Sequence, residues 1–197
     1  SNVLHHMGHY LPYWHKYEHI SEYYVSTRET GAAREIVPFE LTWLTNLIGI
    51  PMSIFCKHKK TISLDGADDI DDTYNMILDY EDKMAVITVD IVSRHCTRSL
   101  EIVGSLGHLK WRWELDYVEL YFDDENAAQL VSYNQSPSAP GYNQNISEQM
   151  YVDETNSFLK QIKREGTFPN TLKEDLKILS LLECAEKSQV LSRELSI

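Results

Sequence analysis

The stretch TYNMILDYEDKMAVITVDIVS, residues 73–93, decides how the chain is read. Its apolar residues recur at every second position: Ile87, Val89 and Ile91 fall on one side, while Thr88 and Asp90 fall on the other. That period of two is the mark of a strand with one covered face. Glu81-Asp-Lys83 interrupts it as a tight turn, so the stretch is a hairpin of Thr73–Tyr80 and Met84–Ser93. The same period reappears on both sides of it, in Pro51–Cys56, Ser99–Val103, Leu109–Leu115 and Tyr117–Phe122, and the opening residues 3–10 alternate as well. Such alternation belongs to antiparallel strands with one face on a core and the other free for solvent, ligand or a second subunit.

Beyond the strands the period lengthens. From Glu29 to Gly49 a helix is expected, with an apolar stripe of Ile36, Phe39, Leu44, Leu47 and Ile48, and with Pro38 bending it from inside. Residues 16–25 are aromatic and polar and fit neither period. Residues 123–146 are acidic and then rich in Asn, Gln, Ser, Pro and Gly, which predicts a loop, and a helix follows over 147–164. The last helix announces its start with Thr171-Leu-Lys-Glu174, a capping box, and places Leu172, Leu176, Leu179, Leu182 and Ala185 on one expected apolar face. Strands gathered in the middle with helices at both ends argue an α+β fold, a largely antiparallel open sheet with helices on one face.

Composition narrows the function. With 30 acidic against 18 basic residues and a net charge of −12, the chain lacks the basic face that releases counterions from nucleic acid, and an anionic membrane is a poor partner for the same reason. No apolar run reaches the ~18 residues of a membrane span. Three scattered cysteines, Cys56, Cys96 and Cys184, form no CxxC and no even framework, which fits a reducing, cytoplasmic setting. There is no GxGxxG and no phosphate loop; Gly104-Ser-Leu-Gly107 reads as a turn. The chain opens on Ser1-Asn2 without a methionine and runs directly into Val3-Leu4, so it is expected to be a piece of a longer protein.

Several segments, in order, resemble the C-terminal domain of the Gfo/Idh/MocA family of NAD(P)-dependent oxidoreductases. They are GHYLPYWH at 8–15, ETGAAREIVPFELTWL at 29–44, Asp72-Thr73 with the hairpin after it, RSLEIVGSLG at 98–107, and the terminal helix 176–188 with ECAEKS at 183–188. The resemblance implies that residues 1–197 are a single substrate-binding and oligomerisation domain. A Rossmann domain absent from this chain would bind most of the NAD or NADP. The substrate would be a sugar or nucleotide sugar, and a homo-oligomer would form through the sheet face. The fragment alone would be inactive.

The family's catalytic helix carries an Asp and, four residues on, a His that takes the substrate proton. Those positions fall on Glu35 and Phe39. Phe39 cannot carry a proton, a step typically contributing ~10²–10⁴-fold. The resemblance therefore implies a substitute base among Glu35, His15 and Tyr10, a different reaction, or a catalytically silent sugar-binding or regulatory protein.

HHMGHYLPYWHKYEH, residues 5–19, holds five of the eight histidines. Read by itself it is a metal site, a substrate wall or ordinary surface; it has no HExxH and no cysteine partner for zinc. The resemblance favours the wall, with Tyr10 and Trp14 laying rings on a sugar and His15 hydrogen-bonding its hydroxyls. Arg34, beside Glu35, and the Arg94, His95, Arg98 group, expected in a turn, are either surface charges or clamps for a carboxylate or phosphate. Asp65–Asp72 has five aspartates in eight positions and fails the EF-hand order, so a solvated turn is expected.

Overall fold

A computed structural model describes residues 1–122, 127–134, 138, 140 and 148–197. Nine strands form one sheet in the order β8-β7-β6-β5-β1-β4-β3-β2-β9. They are β1 (Asn2–Tyr10), β2 (Ser53–Lys59), β3 (Thr73–Asp79), β4 (Met84–Asp90), β5 (Val92–Gly104), β6 (Gly107–Arg112), β7 (Tyr117–Tyr121), β8 (Gln129–Ser132) and β9 (Leu195–Ser196). Every neighbouring pair is antiparallel except β1 with β4. Helices α1 (Ala32–Ile48) and α3 (Leu172–Leu191) cover one face, and α2 (Glu148–Ile162) buries none of its residues among those described. The expected α+β class and open sheet are what the chain forms.

Alternation along each strand sends one set of side chains under the helices. Val3, Met76, Leu78, Ile87 and Val89 meet Ala33, Val37, Leu41 and Leu44 of α1 and Leu181 and Ala185 of α3. The opposite face stays open and carries Leu4, Ile77, Met84 and Val103 among charged neighbours. No helix among the described residues is long and apolar enough to cross a membrane.

Four expectations are corrected here. The apolar stripes of both long helices are met in part: Ile36, Leu44, Leu182 and Ala185 are buried as expected, while other expected members are exposed. On α1 the buried residues are Ala32, Ala33, Ile36, Val37, Glu40, Leu41 and Leu44, while Phe39 and Leu47 face outward. On α3 they are Ile178, Leu181, Leu182, Ala185 and Ser188, leaving Leu172 and Leu176 exposed behind an intact Thr171–Glu174 capping box. The buried stripes accept a carboxylate and a hydroxyl because each is hydrogen-bonded: Ser188 Oγ takes the Cys56 N–H at 3.2 Å and gives to the Arg193 carbonyl at 2.6 Å.

Second, Arg94, His95 and Arg98 lie on β5 and not in a turn. The chain passes from β4 to β5 around the end of β1 at Ile91 alone. Ile91 accepts from the Leu11 N–H at 3.0 Å and donates to the Asp72 carbonyl at 2.9 Å. Asp90 completes the step by accepting the N–H groups of Val92 and Ser93 at 3.0 and 2.8 Å. Third, Asp72 is fully buried rather than solvated. Its carboxylate takes the N–H groups of Thr61 and Ile62 at 2.8 and 3.0 Å and the hydroxyls of Thr61 and Thr73 at 2.8 and 2.9 Å, tying the 60–72 loop to β3. Four residues of the expected 123–146 loop form β8 instead, and much of the remainder of that segment lies outside the described residues.

Candidate functional site

The site grows from the end of β1. Tyr10 closes the strand, Pro12 fixes the 3-10 turn Leu11–Tyr13, and fully buried Leu11 pins that turn to the core. Trp14 then meets the edge of His9 at 5.9 Å. His15 lies flat on Tyr23, ring centres 4.8 Å apart, with Nδ1 3.2 Å from Glu18 Oε2. Residues 20–26 make two further 3-10 turns that lead Tyr23 and Tyr24 toward the start of α1. There the Tyr24 hydroxyl donates to Glu35 Oε1 at 2.7 Å. Burial raises the Tyr24 phenol to about 12, aided by the bond to Glu35 and its charge. His15 and Glu35 therefore border one aromatic cluster, linked by the 6.4 Å edge contact of Tyr23 with Tyr24.

Two polar atoms in this cluster are buried without a hydrogen-bond partner among the described residues, Trp14 Nε1 and Tyr23 Oη. Burial, and then the nearby Glu18 charge, push the Tyr23 phenol up, so it stays a hydroxyl. A buried donor left unpaired costs about 1–3 kcal/mol unless something else satisfies it.

The arginines divide. Arg34 turns away from Glu35 and clamps Glu186 of α3, Nε to Oε1 at 2.5 Å and Nη2 to Oε2 at 3.2 Å, with Nη1 on the Glu29 carbonyl at 2.8 Å. Arg98 is spent on Glu40, at 3.1 and 3.2 Å, and lies 5.6 Å from the Trp43 ring. Arg94 is exposed, stacks over Tyr10 at 4.4 Å, and makes no ion pair among the described residues.

Below the helix lies a cluster the sequence reading missed. Glu40, buried at 2% exposure, accepts from His5 Nε2 at 2.9 Å, Trp43 Nε1 at 2.8 Å and Arg98. His5 Nδ1 is 2.8 Å from the Ser99 carbonyl, which only accepts, so Nδ1 donates and a proton is held between Nε2 and Glu40. Burial alone would raise the Glu40 carboxyl, but the His5 bond and the Arg98 charge outweigh it and hold the group below its usual range. Burial lowers His9 and keeps it a neutral imidazole, with Cys96 Sγ 3.8 Å from its Nδ1. His6, on the opposite sheet face, bonds Asp90 at 2.7 Å. The histidine-rich opening is thus divided between the two faces of β1, and no group of three or more His, Cys, Asp or Glu among the described residues is placed to hold a metal.

Gly31 caps α1, but a Cβ there would meet the Thr27 carbonyl oxygen at 3.1 Å and Ile70 at 3.2 Å. That glycine allows chain segments to pack closely at the helix start.

No protein-family profile and no curated protein matches the chain. Solved structures do. Levoglucosan dehydrogenase in complex with NADH and levoglucosan superposes with a TM-score of 0.77 at 13% identity, over 100% of this chain and 58% of its own. The fold is shared with part of this dehydrogenase. A Thermotoga maritima protein assigned as an oxidoreductase gives 0.74 at 17% identity, over 100% of this chain and 55% of its own. An Agrobacterium radiobacter oxidoreductase in complex with NAD+, L-tartaric acid and magnesium gives 0.73 at 14%, over 99% and 56%. The chain therefore spans a little over half the length of these structures, and at such identities the likeness is one of fold.

Proposed function

We propose that this chain is the substrate-binding C-terminal domain of a longer NAD(P)-dependent oxidoreductase that acts on a sugar or nucleotide sugar in the cytoplasm. The observation that carries the reading is the aromatic cluster beside α1, which brings His15 and Glu35 to one border within this fold.

Tyr10, Trp14 and Tyr23 wall the sugar with their rings. His15 reaches a hydroxyl, and Glu35 orients another. Of the three arginines, Arg94 is the one with donors free for a carboxylate or phosphate on the substrate, since Arg34 and Arg98 are paired. When bound, the nicotinamide supplies the hydride acceptor. The open sheet face, with its apolar residues set among Lys110, Arg112, Glu101 and Glu119, is the surface through which two copies associate.

The test follows nicotinamide absorbance in the full-length protein against a panel of sugars and nucleotide sugars. Turnover of at least one, abolished or cut ~10²-fold or more in Glu35→Gln, is expected. A second reading, a silent sugar-binding protein, draws on Phe39, which is 63% exposed on α1. Sugar and cofactor binding without turnover would select it.

A further inference from the structure

The geometry points to Tyr24 as the group that exchanges a proton with the substrate hydroxyl, with Glu35 behind it as the proton's destination. This rests on the oxidoreductase reading above. The Tyr24 hydroxyl gives its hydrogen to Glu35 Oε1 at 2.7 Å, which leaves its oxygen lone pairs free to accept one. The ring is 57% exposed while Glu35 is partly buried, so an incoming hydroxyl meets the tyrosine before the carboxylate. Thr30 Oγ1 bonds the Tyr24 carbonyl, and the Glu35 N–H bonds the Gly31 carbonyl at 2.9 Å, so both members of the pair are held at the backbone. Phe39, one turn along α1 from Glu35, has nothing to donate or accept.

A phenol raised to about 12 does not stand ionised near neutral pH, so Tyr24 acts as a relay. In the oxidative direction the substrate O–H breaks and its proton joins Tyr24 Oη. In the same event the proton of Tyr24 moves to the Glu35 carboxylate. The carbinol C–H breaks, its electron pair leaving with the hydrogen as hydride to the nicotinamide acceptor, and C=O forms. Glu35 later loses its proton to water. Reduction runs the same path backward.

The test compares the wild-type full-length protein with Tyr24→Phe, Glu35→Gln and the double variant. Each single change is expected to lower kcat by ~10²–10⁴-fold with KM little altered, and the double variant should fall no further than the worse single one, because the two act as one unit. A second measurement needs neither substrate nor cofactor. In ¹³C-tyrosine NMR, the signal missing from Tyr24→Phe is followed with pH, and in Glu35→Gln it should titrate lower than in wild type. Wild-type turnover with an unaffected Tyr24→Phe overturns the relay and leaves the oxidoreductase reading standing. A Tyr24 titration that Glu35→Gln does not move also overturns it. No turnover by the wild type with any sugar removes both.

Discussion

Helix α1 carries two carboxylates five residues apart, and their surroundings could hardly differ more. Glu40 sits in the apolar stripe and receives hydrogen bonds from three side chains on two strands and its own helix. Glu35 borders solvent and receives one, from a tyrosine. The buried carboxylate cannot change protonation without breaking a network that joins α1 to β1 and β5. The outer one belongs to no such network. One helix thus carries the same residue type in a buried network and at a solvent border.

The contrast breaks first if Glu40 is dispensable. Glu40→Ala leaves His5 and Arg98 without their anion in a buried setting and should destabilise the domain by about 3–5 kcal/mol, read as a shift in urea-unfolding midpoint. Acid sharpens it. Because the folded Glu40 carboxyl is held below its unfolded value of about 4.3, its contribution is complete above that pH and is lost as pH falls through the folded value. Glu40→Gln should flatten that part of the stability profile, and an unchanged acid limb would mean the group is not the one titrating. Arg34→Ala, which opens the partly exposed clamp on Glu186, should cost only about 1 kcal/mol by the same unfolding measurement. Glu35→Gln should cost least, within about 0.5 kcal/mol, since nothing buried depends on it. A larger loss would make Glu35 a structural residue and weaken its proposed role.

The sheet was legible because burial on one face writes a period of two directly into β3, β4, β6 and β7. The helices were legible as helices but only partly in phase. Leucine was taken to mean inside, yet Leu47, Leu172 and Leu176 are exposed while Glu40 and Ser188 are inside. Hydrogen bonding decides that, and pairing partners far along the chain do not appear in a local pattern. A glutamate at 40 between Val37 and Leu44 was the available signal, since a carboxylate in an apolar stripe must be paired. The Tyr23–Tyr24 pair left less trace, because short 3-10 turns have no periodicity to read. Arg94 and Arg98 were misplaced for a related reason: the Asp90 side chain replaces a turn with one connecting residue, and β5 starts earlier than any alternation suggests.

The position of β1 has a consequence for how the chain is made. It is the earliest of this sheet's strands in sequence, yet it lies mid-sheet, with Val3 beside Ala85 on one edge and Ile102 on the other. Roughly 100 residues must be synthesised before both neighbours exist, on the order of 5–20 s at translation speed. Over that interval β1 is an unpaired strand, while β3–β4 and β5–β6 can close locally as hairpins. The sheet must then take its earliest strand between two later ones, a late and non-local step of the kind that slows folding and exposes intermediates to aggregation.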